Sequence, residues 1–191
     1  VDLNGDGLIT VEDVDMKNVI PSLYWGFGNT FTYKNWDLDV FIYSQLGVDK
    51  YNDVYSWTSG RGLGNQTNNM SVYIKDVWHS ELNPNGTIPG IAYEMASVSL
   101  PGGAGTDIGY ENSSFVRVRN ITLGYNFKPN QLGALSKLLS GIRVYVDVQN
   151  PFTFTGYTGL DPEVNTGGNY KGGKAEYPQT RTFSLGAKLS F

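Results

Sequence analysis

The last eleven residues of the chain, Arg181-Thr-Phe-Ser-Leu-Gly-Ala-Lys-Leu-Ser-Phe191, alternate between apolar and other side chains. The apolar positions of this stretch are Phe183, Leu185, Ala187, Leu189 and Phe191. A period of two over this length predicts a β-strand with one apolar face. Such a strand suits either the edge of a soluble sandwich or a membrane barrel, in which lipid covers one face and the lumen the other.

Four more segments follow the same pattern, so the sequence predicts an all-β fold with antiparallel strands at 24–33, 36–45, 115–127, 142–154 and 181–191. The dipeptide Lys34-Asn35 predicts a tight hairpin turn between the first two strands. In a barrel, one face of the strands would contact the membrane. The residues predicted to do so are Trp36, Leu38, Val40, Ile42, Ile142, Val144, Val146, Val148, Leu185, Leu189 and Phe191.

Composition agrees with strands and turns, because 14% of the residues are aromatic and 24 are glycine. No apolar run reaches the roughly 20 residues of a transmembrane helix. Alternating strands can nevertheless cross a membrane at low mean hydropathy. The net charge of −4 leaves no basic patch, so we expect no nucleic-acid partner.

The lengths of the connections also alternate. If Phe191 ends on the periplasmic side, the short connections 34–35 and 128–141 fall in the periplasm, and the second of these contains a predicted short helix at 131–139. The long segments 1–20, 46–113 and 155–180 then fall outside the cell, as in outer-membrane barrels. Five strands cannot close a barrel, and an open edge in lipid is costly. We therefore expect the remaining strands in the rest of a longer polypeptide.

The strand at 115–127 departs from strict alternation. Arg117 and Arg119 are in phase with the apolar residues Ile121 and Leu123. Two explanations are open: a bulge near Asn120 that resets the register, or a strand that projects beyond the membrane at this end. We favour projection, because arginine at mid-bilayer costs roughly 2–4 kcal/mol in a barrel.

The stretch Asp2-Leu-Asn-Gly-Asp-Gly-Leu-Ile-Thr10 has the spacing of an EF-hand or dockerin-like calcium loop. Its predicted ligands are the side chains of Asp2, Asn4, Asp6 and Asp13 and the backbone carbonyl of Leu8. Asp13 stands where the ordinary EF-hand has a bidentate glutamate, which predicts weaker or monodentate ligation. The alternative is a turn that binds nothing.

Enzymatic chemistry has little support in the sequence. Asp37 and Asp39 have no accompanying acid partner or pocket signal, so we interpret them as a solvated face. The only histidine, His79, has no cysteine near it and forms no triad with Ser80. We therefore expect no catalysis. In the long segment 46–113, Trp57 and Trp78 are candidates for stacking on a sugar substrate.

Several of these stretches together resemble the C-terminal part of SusC/RagA-type TonB-dependent outer-membrane transporters. They keep the family's order and span nearly the whole chain. They are the calcium-type loop, Ser114-Phe-Val-Arg-Val-Arg-Asn-Ile-Thr-Leu-Gly-Tyr125, Val144-Tyr-Val-Asp-Val-Gln-Asn-Pro-Phe-Thr-Phe154, Gly159-Leu-Asp-Pro-Glu163 and Tyr177-Pro-Gln-Thr-Arg-Thr-Phe-Ser-Leu-Gly186. Val148-Gln-Asn-Pro-Phe152 departs slightly from the Gln-Asn-Leu-Phe of the family.

The resemblance implies a barrel of about 22 strands with an N-terminal plug. It implies import of glycan fragments, or of peptides in some members, driven by TonB–ExbB–ExbD beneath a SusD-like lipoprotein. The plug and TonB box are not in this sequence.

Two other interpretations remain. A secreted, calcium-stabilised β-sandwich that binds carbohydrate would turn Trp25, Val40, Val144 and Leu185 into a dry core. A glycoside hydrolase would use Asp37 with Asp39, or Asp161 with Glu163. We assign Asp161 a structural role, because Asp161-Pro-Glu163 lies in a turn-like loop.

Overall fold

The computed structural model describes residues 3–8, 10–52, 55, 71–87, 109–164 and 177–191. The chain forms two compact units. The first, here called the loop unit, comprises Val1–Ile20, Asp49–Asn112 and Tyr157–Tyr177. The second, the sheet unit, comprises Pro21–Val48, Ser113–Gly156 and Pro178–Phe191. The segments predicted as long loops thus make up one unit, and the predicted strands make up the other.

The described residues contain seven strands. They are β1 (Leu23–Tyr33), β2 (Trp36–Leu46), β3 (Asp49–Tyr51), β4 (Tyr110–Asn112), β5 (Phe115–Phe127), β6 (Gly141–Thr155) and β7 (Thr182–Ser190). In the sheet unit, five strands pair in the order β1-β2-β5-β6-β7, and every neighbouring pair is antiparallel. The five predicted strands are confirmed, with each end within one residue of its predicted position.

The first hairpin closes as the sequence predicts. Tyr33 pairs with Trp36 across the two-residue turn Lys34-Asn35. Lys34 has a φ of 57°, in the left-handed region that tight hairpin turns require. The turn and the connection between β5 and β6 lie at the same end of the sheet, because Tyr33, Trp36 and Tyr125 stand in one cross-strand row next to the end of β5.

A β-bulge at Arg119 interrupts β5. The pairing of β2 with β5 passes from Phe41 opposite Asn120 to Ile42 opposite Val118, so the register skips Arg119. The pairing with β6 shifts at the same place. The extra residue moves the preceding residues of β5 to the other face of the sheet. Arg117 therefore lies opposite Tyr43, on the face away from Ile121. The preference for a projecting strand was therefore wrong, and the bulge accounts for the register.

Two other expectations need correction. The segment 46–113 is not one loop, since it contains the ribbon formed by β3 and β4 and a 3₁₀ turn at Val72–Asp76. Strands of three residues are too short to give a periodic signal. The predicted helix at 131–139 is instead a pair of 3₁₀ turns, Pro129–Gln131 and Gly133–Lys137. Gly133, with a φ of 56°, breaks the helical path between them.

Little of the chain is buried. Among the described residues, the buried hydrophobic side chains are Val48, Val77, Phe115 and Leu139. No helix in the part of the chain that the structure describes is long and apolar enough to span a membrane. The sandwich interpretation needed Trp25, Val144 and Leu185 in a dry core, but all three side chains are exposed. The five-stranded sheet therefore does not form a sandwich core with these residues.

Candidate functional site, a sheet with an apolar and a polar face

One face of the five-stranded sheet is largely apolar, with Asn29 and Ser44 as polar exceptions. Directly opposite residues share a face, so the register defines rows across the strands. One central row contains Leu38, Leu123, Val146 and Leu185, and the next contains Val40, Ile121, Val148 and Phe183. Leu185 is 77% exposed, which shows how fully this face is open.

The residues predicted to face a membrane lie on this apolar face. The register places there Trp36, Leu38, Val40, Ile42, Ile142, Val144, Val146, Val148, Leu185 and Leu189. Phe191 follows the end of β7. The structure therefore brings these side chains together, and contact with lipid stays a prediction.

Aromatic residues border the aliphatic rows at both ends. At the end with the short connections, Trp36 packs edge-on against Tyr125, with their ring centroids 4.8 Å apart. At the opposite end, the row of Ser44 and Val116 carries Trp25 and Phe154. Trp36 and Ser44 are eight residue steps apart, about 26 Å along a strand, or about 20 Å along the membrane normal at a tilt of about 40°. That height approaches the apolar band of about 25 Å in outer-membrane barrels.

The opposite face is polar and contains an ion pair that spans three strands. Arg143 of β6 donates from Nε to Oδ1 of Asp37 on β2 at 3.2 Å, and from Nη2 to Oδ2 of the same carboxylate. Asn126 of β5 donates from Nδ2 to Asp37 Oδ1 at 2.6 Å. Three donors from two strands thus hold one carboxylate, which makes the group a brace between β2, β5 and β6.

Gly124 makes room for this brace. It lies in β5, opposite Asp37 on one side and Tyr145 on the other. A Cβ atom at this position would lie 2.6 Å from Asp37 Oδ2 and 2.7 Å from Arg143 Nε, well inside van der Waals contact. Only glycine lets the arginine reach across the central strand without displacement.

Hydroxyl and carboxylate groups alternate along the adjacent row of the polar face. Thr30 donates from Oγ1 to Asp39 Oδ1 at 2.5 Å, and Thr122 donates from Oγ1 to Asp147 Oδ1 at 2.6 Å. Asn120 donates from Nδ2 to Thr122 Oγ1 at 2.7 Å. Asp37 and Asp39 therefore belong to a hydrogen-bonded polar wall. Their partners are Arg143, Asn126 and Thr30, not a second carboxylate.

The bulge keeps arginine away from the apolar face. Arg117 is 2% exposed and donates from Nε to Thr153 Oγ1 at 2.9 Å. Its guanidinium carbon lies 5.3 Å from the ring centroid of Phe115. Arg119 lies over Tyr43, 5.4 Å from the ring centroid. Both cations thus rest against aromatic faces, an arrangement that is attractive in a partly desolvated site.

The calcium-type loop is a tight turn around the Asp13 carboxylate. Oδ1 of Asp13 accepts the N–H of Leu3 at 2.7 Å, and Oδ2 accepts the N–H of Thr10 at 2.7 Å. Hydrogen bonds from the backbone of Thr10 and of Leu3 hold the pKa of Asp13 below its usual value. Gly5 and Gly7, with φ of 77° and 82°, supply the left-handed backbone that the turn requires.

The residues of this loop fit calcium by donor type. Asn4, Asp6 and Asp13 offer the hard oxygen ligands that Ca²⁺ takes. In the loop, Asn4 donates from Nδ2 to Asp6 Oδ2 at 3.1 Å and to Glu12 Oε2 at 3.3 Å. Within the described ranges, no three His, Cys, Asp or Glu side chains form a metal-ligand group. Asp2 lies outside the described residues.

The candidate aromatic residues of segment 46–113 are not brought together by the described structure. Trp57 lies outside the described residues. Trp78 is exposed and follows the 3₁₀ turn at Val72–Asp76. His79 has a structural role, because its Nδ1 accepts the N–H groups of Glu81 and Leu82 at 3.2 and 3.1 Å.

The structural role predicted for Asp161 is confirmed. Its Oδ1 accepts the backbone N–H of Glu163 at 2.8 Å and of Val164 at 3.3 Å, and the residue is 7% exposed. An Asp that caps its own turn in this way closes the loop after β6. The hydrolase interpretation gains no support from this pair.

Sequence reasoning missed the residues that connect the strands. The polar alternation of β6 contains Arg143, but its partnership with Asp37 depends on the strand order. Gly124 looks like an ordinary strand glycine until both neighbours of β5 are known. Lys50 and Glu111 lie in strands too short to be predicted at all.

Known proteins resemble the chain over its whole length. It is 33% identical over 194 residues to the TonB-dependent receptor SusC of Bacteroides thetaiotaomicron, and 31% identical over 199 residues to the TonB-dependent receptor P3 of Formosa agariphila. The chain spans 17% and 18% of the lengths of these two relatives. A scan of protein-family models gives no match.

Solved structures agree with the sequence relatives. The RagAB peptide importer in its closed-closed state matches 92% of this chain with a TM-score of 0.73 at 26% identity. A structure of the RagAB peptide transporter gives the same TM-score at 30% identity. In each case the match covers 18% of the longer chain.

Proposed function

The chain belongs to the SusC/RagA family of TonB-dependent receptors, and we propose that it forms part of the β-barrel wall of an outer-membrane nutrient importer. The observation that carries this proposal is the two-faced sheet. Its aliphatic rows suit hydrocarbon, while the Asp37–Arg143 brace and the row of Thr122 and Asp147 suit a polar lumen. The chain spans less than a fifth of its relatives, so the activity is inferred for a longer protein.

The two free edges of the sheet support a larger barrel. β1 pairs with β2 alone, and β7 pairs with β6 alone, among the described strands. Unpaired backbone groups in hydrocarbon cost several kcal/mol each. We infer that further strands of the same polypeptide pair with both edges.

The lengths of the connections support an orientation. The short connections after β1 and after β5 lie at the end that carries Trp36 and Tyr125, and we infer that this end faces the periplasm. The loop unit is then extracellular, since long loops of outer-membrane barrels lie outside the cell.

We infer further that a SusD-like surface lipoprotein covers the importer and that TonB–ExbB–ExbD supplies the energy through a plug. The family supports both inferences. The substrate is a glycan fragment or, as the resemblance to the RagAB peptide importer supports, a peptide. Uptake of labelled glucan oligosaccharides compared with labelled peptides, in cells with and without the full-length gene, separates the two classes.

We also propose a structural Ca²⁺ in the loop of Asn4, Asp6 and Asp13, with Asp2 and the carbonyl of Leu8 completing the ligands. Its support is the set of oxygen-bearing side chains at calcium-loop spacing, on a turn with two left-handed glycines. When bound, the ion would neutralise these carboxylates and tighten the turn.

The calcium proposal has a direct test. With full-length protein, Ca²⁺ should raise the midpoint of thermal unfolding, and Asp6→Asn with Asp13→Asn should abolish that rise. Asp15→Asn is the control, because Asp15 lies beyond the loop and pairs with Lys17. An equal response in the double variant and the wild type would refute the site.

The first test of the main proposal is cell fractionation of the full-length protein, followed by electrophoresis with and without boiling. A closed barrel in the outer membrane runs faster unboiled, and a SusD-like lipoprotein should co-purify with it. A secreted protein that stays soluble without detergent would refute the membrane assignment.

A further inference from the structure

A short segment of the loop unit, 157–164, lies against the ribbon formed by β3 and β4. We call this segment the strap. Lys50 of β3 and Glu111 of β4 are directly opposite each other in the ribbon, so their side chains leave the same face. Glu111 binds the near end of the strap, and Lys50 binds the far end and also lies against the ring of Tyr157. Two opposite charges on neighbouring strands thus act as two separate anchors.

The lysine anchor binds the far end of the strap. Lys50 donates from Nζ to the carbonyl oxygen of Asp161 at 3.0 Å and to the carbonyl oxygen of Val164. The ammonium also lies 5.4 Å from the ring centroid of Tyr157. A charged donor between two carbonyl groups makes stronger hydrogen bonds than a neutral donor would.

The glutamate anchor binds the near end. Glu111 accepts the backbone N–H of Thr158 at Oε2, at 2.9 Å, and the Thr158 hydroxyl at Oε1, at 2.8 Å. Asn52, which is 3% exposed, donates from Nδ2 to Glu111 Oε1 at 2.9 Å and to Thr158 Oγ1 at 3.2 Å. The carboxylate is therefore fixed from both sides.

Burial along the strap is uneven, because Pro162 is buried and Tyr157 is half-buried. Leu160, its leucine, is exposed. Gly159 leaves no space beneath Tyr157, since a Cβ atom there would lie 2.4 Å from the ring. Beside this packing, the two polar anchors fix the strap to the ribbon through hydrogen bonds to charged groups.

We propose that Lys50 and Glu111 form a latch that holds the strap closed on the ribbon, and that nutrient uptake requires the closed strap. The second part rests on the proposed import function. The physical reason is preorganisation: a fixed loop surface avoids the entropy cost of ordering at each binding event.

The test is hydrogen–deuterium exchange on the full-length protein in detergent, with uptake measured in cells that carry the same variants. Lys50→Met and Glu111→Gln each remove one anchor. Lys50→Arg keeps the charge, and Lys75→Met removes an exposed lysine elsewhere in the loop unit as the matched control. Faster migration of unboiled samples verifies that each variant has a folded barrel.

The expected result is at least about tenfold faster exchange of the strap amides in Lys50→Met and in Glu111→Gln, since bonds to charged groups are the stronger class. The fold increase in exchange rate in the double variant should be smaller than the product of the increases in the two single variants, because both anchors hold one strap. Lys50→Arg and Lys75→Met should stay near wild type, and uptake should fall only in the first two variants and the double variant.

Unchanged strap exchange in Lys50→Met and Glu111→Gln would overturn the latch. Faster exchange with normal uptake would overturn its role in transport. If the wild-type protein imports neither glycan fragments nor peptides, the proposed function fails, while the exchange data still decide whether the latch exists.

Discussion

Leu185→Arg tests the assignment of the two faces most directly. Leu185 is in a central row of the apolar face, with Leu38, Leu123 and Val146. The adjacent residue Ser184 lies on the polar face, opposite Asp147. Both side chains are exposed and lie on the same strand, so Ser184→Arg introduces the same charge on the other face.

The expected loss in the free energy of unfolding depends on how deep the substituted residue would lie in the membrane. The row of Leu185 is two residues from the row of Trp36 and Tyr125, about 7 Å along the strand and about 5 Å along the membrane normal at a tilt of about 40°. Arginine on the lipid face costs roughly 2–4 kcal/mol at the midplane and 0–1 kcal/mol near an interface. At this depth we expect a loss of about 2 kcal/mol for Leu185→Arg, and at most about 1 kcal/mol for Ser184→Arg, whose side chain lies on the polar face.

The assay is urea unfolding of the full-length protein in lipid vesicles, monitored by heat-modifiability on gels. Leu189→Arg adds a depth control, because its row lies beyond the aromatic row, with Ile142 and Phe127. Its cost should be about 0–1 kcal/mol. Equal costs for Leu185→Arg and Ser184→Arg, or a larger cost at Leu189 than at Leu185, would refute the assignment of faces.

Two further predictions concern single groups. Gly124→Ala should lower the free energy of unfolding by about 1–3 kcal/mol in the same assay, because its Cβ would displace the Asp37–Arg143 pair. The control, Gly156→Ala, has open space at its Cβ and should have no effect. Equal effects of the two substitutions would show that the brace contributes nothing. Burial first, and then the charges of Glu111 and Asp161, raise the pKa of Tyr157 to about 12 from 10.0. The Tyr157 hydroxyl therefore loses its proton at a higher pH in the folded protein than in the unfolded chain. Its contribution to the free energy of unfolding is fully present below about pH 10 and is lost as the pH rises towards about 12. The difference in ultraviolet absorbance between wild type and Tyr157→Phe should show this late ionisation, and an ionisation at the pH of an ordinary tyrosine would contradict it.

The strands themselves were predictable because each carries a long local signal. A period of two over ten or more residues predicted the other long strands to within one residue, and β5 was predicted to the residue although its alternation breaks at the bulge. The family motifs added the type of barrel. The spacing of the acidic, Asn and Gly residues near the start of the chain predicted a calcium loop; the described residues form a turn around the Asp13 carboxylate, and calcium binding stays a prediction.

Local signals failed where the structure depends on a neighbour. The bulge at Arg119 was predicted only as one of two alternatives, since periodicity shows that a register breaks but not how. The ribbon of β3 and β4 was invisible, because three residues give no pattern and the two strands are far apart in the chain. The helix at 131–139 was predicted from composition and is prevented by the left-handed backbone of Gly133.

The sequence by itself therefore determined which residues form strands and which of their faces is apolar, because alternation is a property of consecutive residues. Only the tertiary structure decided which polar groups meet. Asp37 reaches Arg143 because β5 lies between their strands and has glycine at position 124, and Lys50 and Glu111 meet the strap because two distant segments pair. Contacts between residues so far apart in the chain depend on strand order and register, which no local pattern contains.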